Sequence, residues 1–414
     1  MKYILIIGDG MADNPVESLG GKTPLQVAHI PTIDAMAAQG IVGNVINCPK
    51  PLPAGSETAI LSIFGCDPLV HFKGRAHMEA AGSGVTLRHG DVAYRCNIVS
   101  LEDGDMPYEE RRIISHSAGS IEAEDALEVM DILESQPEFR AAAEEAGVVI
   151  HHMPVFRQIA VQANGDIEGL KLIPPHDHLG EKLGPLVPGG NANAEKLGEL
   201  MKVANQVLQN HPINDARRAA GKLVANGIWI WASGTMMDLP MFADQYDGRT
   251  GGVISGVALC QGIGALRGLQ VIRVPGATGE IDTNFEGKMQ AAVDLLRTDA
   301  DFCCLHLEAP DECTHNGDLP GKIQSIEWLD SRILKPMLEQ LDADGIDYRV
   351  LVLSDHKTLT ATRGHDGDPV PFLLYEKGKD TGFGGVYDEE TGIAGPTLAA
   401  GYELLDYLFE KKHI

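Results

Sequence analysis

The sequence predicts an α/β sandwich interrupted by a second, smaller domain, and three observations point to it. Apolar runs without alternation recur along the chain, at Tyr3 to Ile7, Ile228 to Trp231, Val271 to Val274, Phe302 to Leu307 and Val350 to Leu353. Amphipathic segments lie between them. Residues 71–222 differ in texture, with acidic helical stretches, His/Pro-rich turns and a Gly/Asn-rich loop.

Taking the elements in order, non-alternating runs of four to six apolar residues suit strands buried on both faces, as in a parallel sheet covered by helices. The first, Tyr3 to Ile7, is too short for a signal-peptide core, lacks a small-residue cleavage site and runs straight into Gly8-Asp9-Gly10. It reads as a buried strand. Within Lys322 to Leu341, the residues Ile323, Ile326, Leu329, Ile333, Met337 and Leu341 form one apolar stripe at helical spacing. Pro336 should kink that helix or mark its end. Gln290 to Arg297 is a further helix. The middle section holds helices at Glu122 to Glu134 and Glu138 to Glu145, the turn Pro174-Pro175-His176-Asp177-His178, and the loop Pro188 to Asn193. The expected division is therefore a discontinuous domain of residues 1–70 and 223–414, with residues 71–222 inserted into it.

A chain of 414 residues, 44% hydrophobic and 22% charged, has the composition of a soluble multidomain protein with full cores. No run reaches the eighteen or so apolar residues that span a bilayer. The seven cysteines are odd in number and show no C-x-x-C spacing, which speaks against a disulfide framework or thiolate zinc site and for the cytoplasm. A formal net charge of −26 disfavours nucleic acid and anionic membranes as partners. A small phosphorylated metabolite would be repelled too, unless bound cations and clustered Arg or Lys reverse the potential inside a cleft. Nothing in the composition indicates an oligomeric state.

In α/β sandwiches ligands gather at the carboxyl ends of the strands, and the polar residues that end these runs are chemically suggestive. Asp9 follows the first. Asp311 and His315 follow Phe302 to Leu307. Asp355 and His356 follow Val350 to Leu353, and His365 lies nine residues beyond His356. Ser56 sits in Pro53-Ala54-Gly55-Ser56-Glu57-Thr58-Ala59, a turn leading into a helix. Taken singly, an Asp after a strand or a Ser before a helix is an ordinary turn or cap residue. Together, three Asp, three His and one Ser supply oxygen and imidazole ligands without thiolate, a set suited to Mn²⁺, Mg²⁺ or Zn²⁺. Two such ions can polarise a phosphoryl group, and a bound ion lowers the pKa of a serine hydroxyl enough to make it a nucleophile.

The motifs Gly8-Asp9-Gly10-Met11-Ala12-Asp13, Gly55-Ser56-Glu57-Thr58-Ala59, Asp311-Glu312-x-x-His315, Asp355-His356 and His365-x-Gly367-Asp368-Pro369 resemble those of the 2,3-bisphosphoglycerate-independent phosphoglycerate mutases. The likeness is to their archaeal-type branch, within the alkaline phosphatase superfamily. It continues through Gly74-Arg75-Ala76, Arg95-Cys96-Asn97, Pro174-Pro175-His176-Asp177, Ile228-Trp229-Ile230-Trp231 and Pro275-Gly276-Ala277-Thr278-Gly279, nearly end to end. The resemblance implies an alkaline-phosphatase-like three-layer α/β/α sandwich with an inserted smaller α/β domain acting as a substrate-binding lid. It implies two divalent ions, one held by Asp311, His315 and His365, the other by Asp9, Ser56, Asp355 and His356. Mn²⁺ is the favoured ion, with Mg²⁺, Zn²⁺ or Co²⁺ as alternatives. The implied reaction interconverts 3-phosphoglycerate and 2-phosphoglycerate through phosphoserine at Ser56. Arg75, Arg95, Arg157 and Lys182, with Lys288, are the candidates to grip the substrate's anionic groups.

Some residues depart from the family pattern. Glu57 stands where members commonly carry Asp, Ser115-His116 and Ser120 flank an otherwise familiar Ser117-Ala118-Gly119, and His178 replaces an apolar residue. His176-Asp177-His178 is read as a domain turn and Cys313 as a bystander. The rival readings are an ATP-dependent homoserine kinase-like phosphotransferase, suggested by Glu308-Ala309-Pro310-Asp311-Glu312, a metal-dependent phosphomonoester hydrolase, and a binding protein without catalysis. No P-loop is present.

Overall fold

The computed structural model describes residues 1–414, which divide into two compact units. One comprises Met1–Phe72, Ala81–Ser83 and Asp238–Ile414, the other Lys73–Ala80 and Gly84–Met237. No helix is long and apolar enough to cross a membrane.

The first unit is built on an eight-stranded mixed sheet. Its strands run in the order Thr397–Leu398, Ile41–Val45, Val370–Glu376, Tyr348–Leu353, Lys2–Gly8, Phe302–Leu307, Gly251–Ile254, Gln270–Ile272. The first strand pairs in parallel with both Phe302–Leu307 and Tyr348–Leu353. All six residues of each of those two neighbours are buried. Alternate side chains point to opposite faces, so helices must cover both sides. Val370–Glu376 runs antiparallel to both its neighbours, Tyr348–Leu353 and Ile41–Val45, so the sheet is parallel at its centre and mixed toward one side.

The helical stripe at Lys322 to Leu341 is not one helix. Leu319–Trp328 and Lys335–Ala343 are α-helices joined by a π-helical segment, Leu329–Leu334, and Pro336 stands in the first turn of the second. Proline removes one hydrogen bond from the ladder, and the wider turn before it keeps Leu329, Ile333 and Leu334 buried.

The second unit carries an antiparallel sheet. Val92–Leu101 is flanked by Arg157–Gln162 on one side and by Gly227–Thr235 on the other. The division expected from sequence is thus corrected at its downstream end. Gly227–Thr235 pairs with Val92–Leu101 from Val99↔Gly227 to Val92↔Thr235, so the Ile228 to Trp231 run belongs to this sheet. An apolar run reports burial, not the sheet that buries it. Ala123–Ser135, Pro137–Ala146 and Ala192–Leu208 are among the helices of this unit, with Val129, Leu133, Leu197, Met201 and Trp229 in its core.

Candidate metal centre and nucleophile

Strand register assembles the centre. Gly8 pairs with Leu307 and Ile7 with Leu353, so the residues that follow these three strands emerge side by side. They are Asp9, Glu308 and the Ser354-Asp355-His356 segment. Ser56 opens the helix Ser56–Ile63, and its Oγ lies 3.2 Å from Asp9 Oδ2 and 3.2 Å from His356 Nε2. His356 Nε2 is also 3.3 Å from Asp355 Oδ2 and 3.5 Å from Asp9 Oδ1. Asp355 is aimed by its other oxygen, which accepts from the backbone N–H groups of Gly10 and His356 at 3.1 and 2.8 Å.

Beside this group lies a second. The helix Ala309–His315 places Asp311 and His315 four residues apart on one face, with His315 Nε2 at 3.1 Å from Asp311 Oδ2. The hairpin formed by Lys357–Leu359 and Gly364–Asp366 brings His365 Nε2 to 3.3 Å from Asp311 Oδ1 and 3.0 Å from His315 Nε2. The His315 ring is set by a 2.8 Å contact between Nδ1 and the Arg363 carbonyl. Thr358 Oγ1 donates to Asp311 Oδ1 at 2.6 Å. Asp311, His315 and His365 have ligand atoms mutually within 4.8 Å, as do Asp9, Asp311 and His356.

A match to the family model described as 2,3-bisphosphoglycerate-independent phosphoglycerate mutase covers residues 37–214. A protein of that name from Methanosarcina barkeri is 39% identical over 414 residues, the whole of both chains. One from Pyrococcus furiosus is 37% identical over 90% of this chain and 88% of its own. The chain belongs to the 2,3-bisphosphoglycerate-independent phosphoglycerate mutase family. Among solved structures, a Pyrococcus horikoshii protein aligns with a TM-score of 0.78 at 31% identity, covering 100% of this chain and 99% of its own. The cofactor-independent phosphoglycerate mutase from Thermoplasma acidophilum aligns at 0.61 and 25% identity, covering 99% of each.

The donor set of this phosphoglycerate mutase family member fits divalent cations. Asp9 Oδ1 and Asp355 Oδ2 are buried without a hydrogen-bond partner, and so is Glu308 Oε2. Such orphans are costly unless a cation meets them. Burial, then the charges of Asp355, Glu308 and Asp311, push the Asp9 carboxyl well above its ordinary range. Glu308 is pushed up to about 8 by burial and by Asp311. Burial would also raise Asp311, but hydrogen bonds from His315 and His365 outweigh it and hold that carboxyl well below the usual range. His315 is raised to about 9 by its hydrogen bond to Asp311. His356 is lowered by burial, which favours the neutral ring a metal needs.

Two participants were not singled out from sequence. His306 lies inside the Phe302–Leu307 strand, fully buried, with Nε2 at 3.0 Å from Asp9 Oδ2 and Nδ1 at 3.0 Å from Ser255 Oγ. It fixes the orientation of Asp9, and burial keeps it mostly neutral by lowering it to about 4. Thr358 was likewise missed. Cys313 is buried outside both groups, in keeping with a bystander.

The basic candidates divide. In the second unit Glu79 joins Arg95 and Arg75, with Oε2 at 2.9 Å from Arg95 Nε and Oε1 at 3.0 Å from Arg75 Nε. Arg95 lies 4.3 Å above the Trp231 ring. Asn97, two residues beyond Arg95, is in register with Arg157. Lys182 is instead paired with Glu110, both side chains half exposed. Lys288 is fully buried, with Nζ 3.4 Å from the carbonyls of Thr278 and His306. Both lysines thus have partners within the chain. His178 faces Glu181 at 3.2 Å, while the His176 ring packs 5.1 Å from Trp231, so the His-Asp-His turn does not converge on a point.

Proposed function

We propose that this chain interconverts 3-phosphoglycerate and 2-phosphoglycerate through phosphoserine at Ser56, with two divalent cations. Asp311, His315 and His365 would hold one ion; Asp9, Ser56, Asp355 and His356 would hold the other, Mn²⁺ being favoured by mixed carboxylate and imidazole ligation. The observation that carries the reading is Ser56 Oγ, 3.2 Å from both Asp9 and His356 amid buried carboxylate oxygens that lack partners. When bound, the ions neutralise phosphoryl oxygens and lower the pKa of the serine hydroxyl.

Ser56 Oγ gives up its proton and forms the new bond to phosphorus while the bond from phosphorus to the glycerate 3-oxygen breaks, and that oxygen takes up a proton to leave as a hydroxyl. The glycerate 2-hydroxyl then takes the phosphoryl group, and Ser56 is regenerated. Substrate and product are isomers, so no co-reactant is consumed. His306 keeps Asp9 oriented throughout. Arg75, Arg95 and Arg157 are assigned to the anionic groups of the substrate, since guanidinium forks match carboxylate and phosphate oxygens. The lid role of the second unit remains part of this proposal.

The test is a coupled assay for 2-phosphoglycerate formed from 3-phosphoglycerate, with Mn²⁺ and without 2,3-bisphosphoglycerate. ATP with homoserine runs in parallel. Turnover is expected in the first assay only. Metal-loaded protein that phosphorylates homoserine and leaves phosphoglycerate unchanged would overturn the reading. Wild-type protein should acquire ³²P from labelled substrate and Ser56→Ala should not; label retained in Ser56→Ala removes Ser56 from the mechanism.

A further inference from the structure

The hairpin that delivers His365 stands outside the eight-stranded sheet. Lys357–Leu359 and Gly364–Asp366 pair with each other as a two-stranded ribbon, bridged at Lys357 to Met11 and Ala12, and such ribbons are marginal in water unless something else secures them. Two of its side chains matter to the metal centre. His365 reaches Asp311 Oδ1, and Thr358 donates to that same oxygen. The hairpin must therefore hold its position closely, because ligand geometry depends on it.

A buried ion pair secures it. Lys322, on the helix Leu319–Trp328, is 0% exposed and donates from Nζ to the Thr358 carbonyl at 2.6 Å and to Asp13 Oδ2 at 2.9 Å. Asp13, 2% exposed, takes the other side of the ribbon. Its Oδ2 accepts from Thr360 Oγ1 at 2.6 Å and from Thr360 N at 3.1 Å. Asp13 is itself held by its backbone N–H donating to Glu389 Oε1 at 3.0 Å, and Glu389 Oε2 accepts from Thr23 Oγ1. The Thr358 N–H meets the Ala12 carbonyl at 3.1 Å. Lys322 thus connects the helix that follows Asp311 and His315 to the strand opposite His365.

Stability alone does not call for this arrangement. Replacing a buried ion pair with apolar residues of similar volume is often neutral or stabilising. What an apolar pair could not supply is directional hold on the Thr358 carbonyl and on Thr360, one residue to either side of Leu359. Groups that orient metal ligands from behind typically change metal affinity by about 10- to 100-fold when removed.

We infer that Lys322 and Asp13 are positioning residues for the Asp311, His315 and His365 cation set, acting by locking the hairpin that carries Thr358 and His365. The inference rests on the two-cation reading above. The experiment is a Mn²⁺ titration of metal-free full-length protein, followed by calorimetry and by the EPR signal of free Mn²⁺. Wild type should bind two ions, and His365→Ala identifies the affinity class that belongs to this set. Lys322→Met and Thr358→Val are expected to raise the Kd of that class by about 10-fold or more and leave the other within about 2-fold. Ile326→Ala, at a fully buried position on the same helix, supplies a destabilised control outside the network.

Unchanged affinities in Lys322→Met, or equal weakening of both classes as in Ile326→Ala, overturn the inference while leaving the two-cation reading intact. Should Lys322→Met fail to fold, Thr360→Val decides: it removes the hydroxyl that donates to Asp13 Oδ2 and keeps the side-chain shape, and wild-type affinities in that variant refute the proposed coupling. Wild-type protein that takes up fewer than two ions overturns the two-cation reading itself and this inference with it.

Discussion

Glu79→Gln puts the arginine cluster of the second unit to a quantitative test. Glu79 is 7% exposed and serves two guanidinium groups at once, Arg95 at 2.9 Å and Arg75 at 3.0 Å. Burial alone would raise its carboxyl, but Arg95, Arg75 and Arg157 outweigh burial and hold it below the ordinary range. The Arg95 side chain is 6% exposed, so its attraction to Glu79 is little screened; that of Arg75 is 34% exposed and its share is discounted. Charge-assisted hydrogen bonds are worth about 1.5–3 kcal/mol each. The Arg75 contact is a charge-assisted hydrogen bond and the Arg95 contact a little-screened ion pair, so removing the charge that serves both should cost about 1.5–3 kcal/mol for the amide, which keeps the volume and one acceptor oxygen. Urea unfolding measures that loss. The same substitution frees Arg95 to shift over Trp231, so KM for 3-phosphoglycerate should rise more than kcat falls. The emission attributable to Trp231, taken as the difference from a Trp231→Phe variant, should change with it. A stability loss below about 0.5 kcal/mol, with KM and Trp231 emission unaltered, would refute the claim that Glu79 organises these arginines.

Three other outcomes follow from the geometry. His77 is 3% exposed and its Nδ1 accepts from the Met237 N–H at 2.9 Å; burial lowers it from 6.5 to about 4. The folded state then binds fewer protons than the unfolded one between those values. Stability is lost as pH falls from about 6.5 to about 4, by at most about 3 kcal/mol, and His77→Asn should flatten that part of the urea-midpoint profile relative to wild type. Gly10 has φ +59°, and a Cβ there would stand 2.2 Å from Thr358 Oγ1 and 2.8 Å from Asp311 Oδ1. Gly10→Ala should therefore lower Mn²⁺ stoichiometry in addition to the backbone strain of about 1–2 kcal/mol, and full occupancy by elemental analysis would contradict this. Chelation should lower Tm, because an ion at 100 times its Kd stabilises by about 2.7 kcal/mol; identical melting with and without chelator would argue against resident cations.

Ser56, Asp9, Asp355 and His356 were legible as candidate ligands because they open a helix or follow an apolar run closely, and parallel strands in register bring such ends together, whereas His365 comes in on a separate hairpin. His306 was not, because a polar residue within a buried run carries no mark of the face it occupies. Only the pairing of Ile7 with His306 places it beside the first strand. The antiparallel strand Val370–Glu376 went unread for a related reason, since Pro371 lies inside it and proline argues against an interior strand. Lys288, a candidate from sequence to grip the substrate's anionic groups, is fully buried, and composition cannot reveal that. The misplaced downstream boundary has the same origin, for the Ile228 to Trp231 run shows burial without naming its partner strand. Lys322 and Asp13 sit 309 residues apart, and no local pattern announces such a pair.

Those two buried lysines bear on how the centre tolerates its own charge. Asp9, Glu308, Asp311 and Asp355 lie close enough for mutual repulsion to raise Asp9 and Glu308. A lysine placed among the ligand oxygens would relieve that repulsion and exclude a cation. The structure instead sets Lys288 Nζ against the His306 and Thr278 carbonyls, and Lys322 Nζ against Thr358 O and Asp13. Both are 0% exposed, and neither donates to Asp9, Asp311 or Asp355. Burial lowers Lys288 to about 8 even though Glu308 pulls it up. Its ammonium lends positive potential from behind the strand while the carboxylate oxygens of Asp9 and Asp355 stay available. The arrangement separates two tasks that one cation could not perform together, offsetting buried negative charge and leaving Asp9 Oδ1 and Asp355 Oδ2 open.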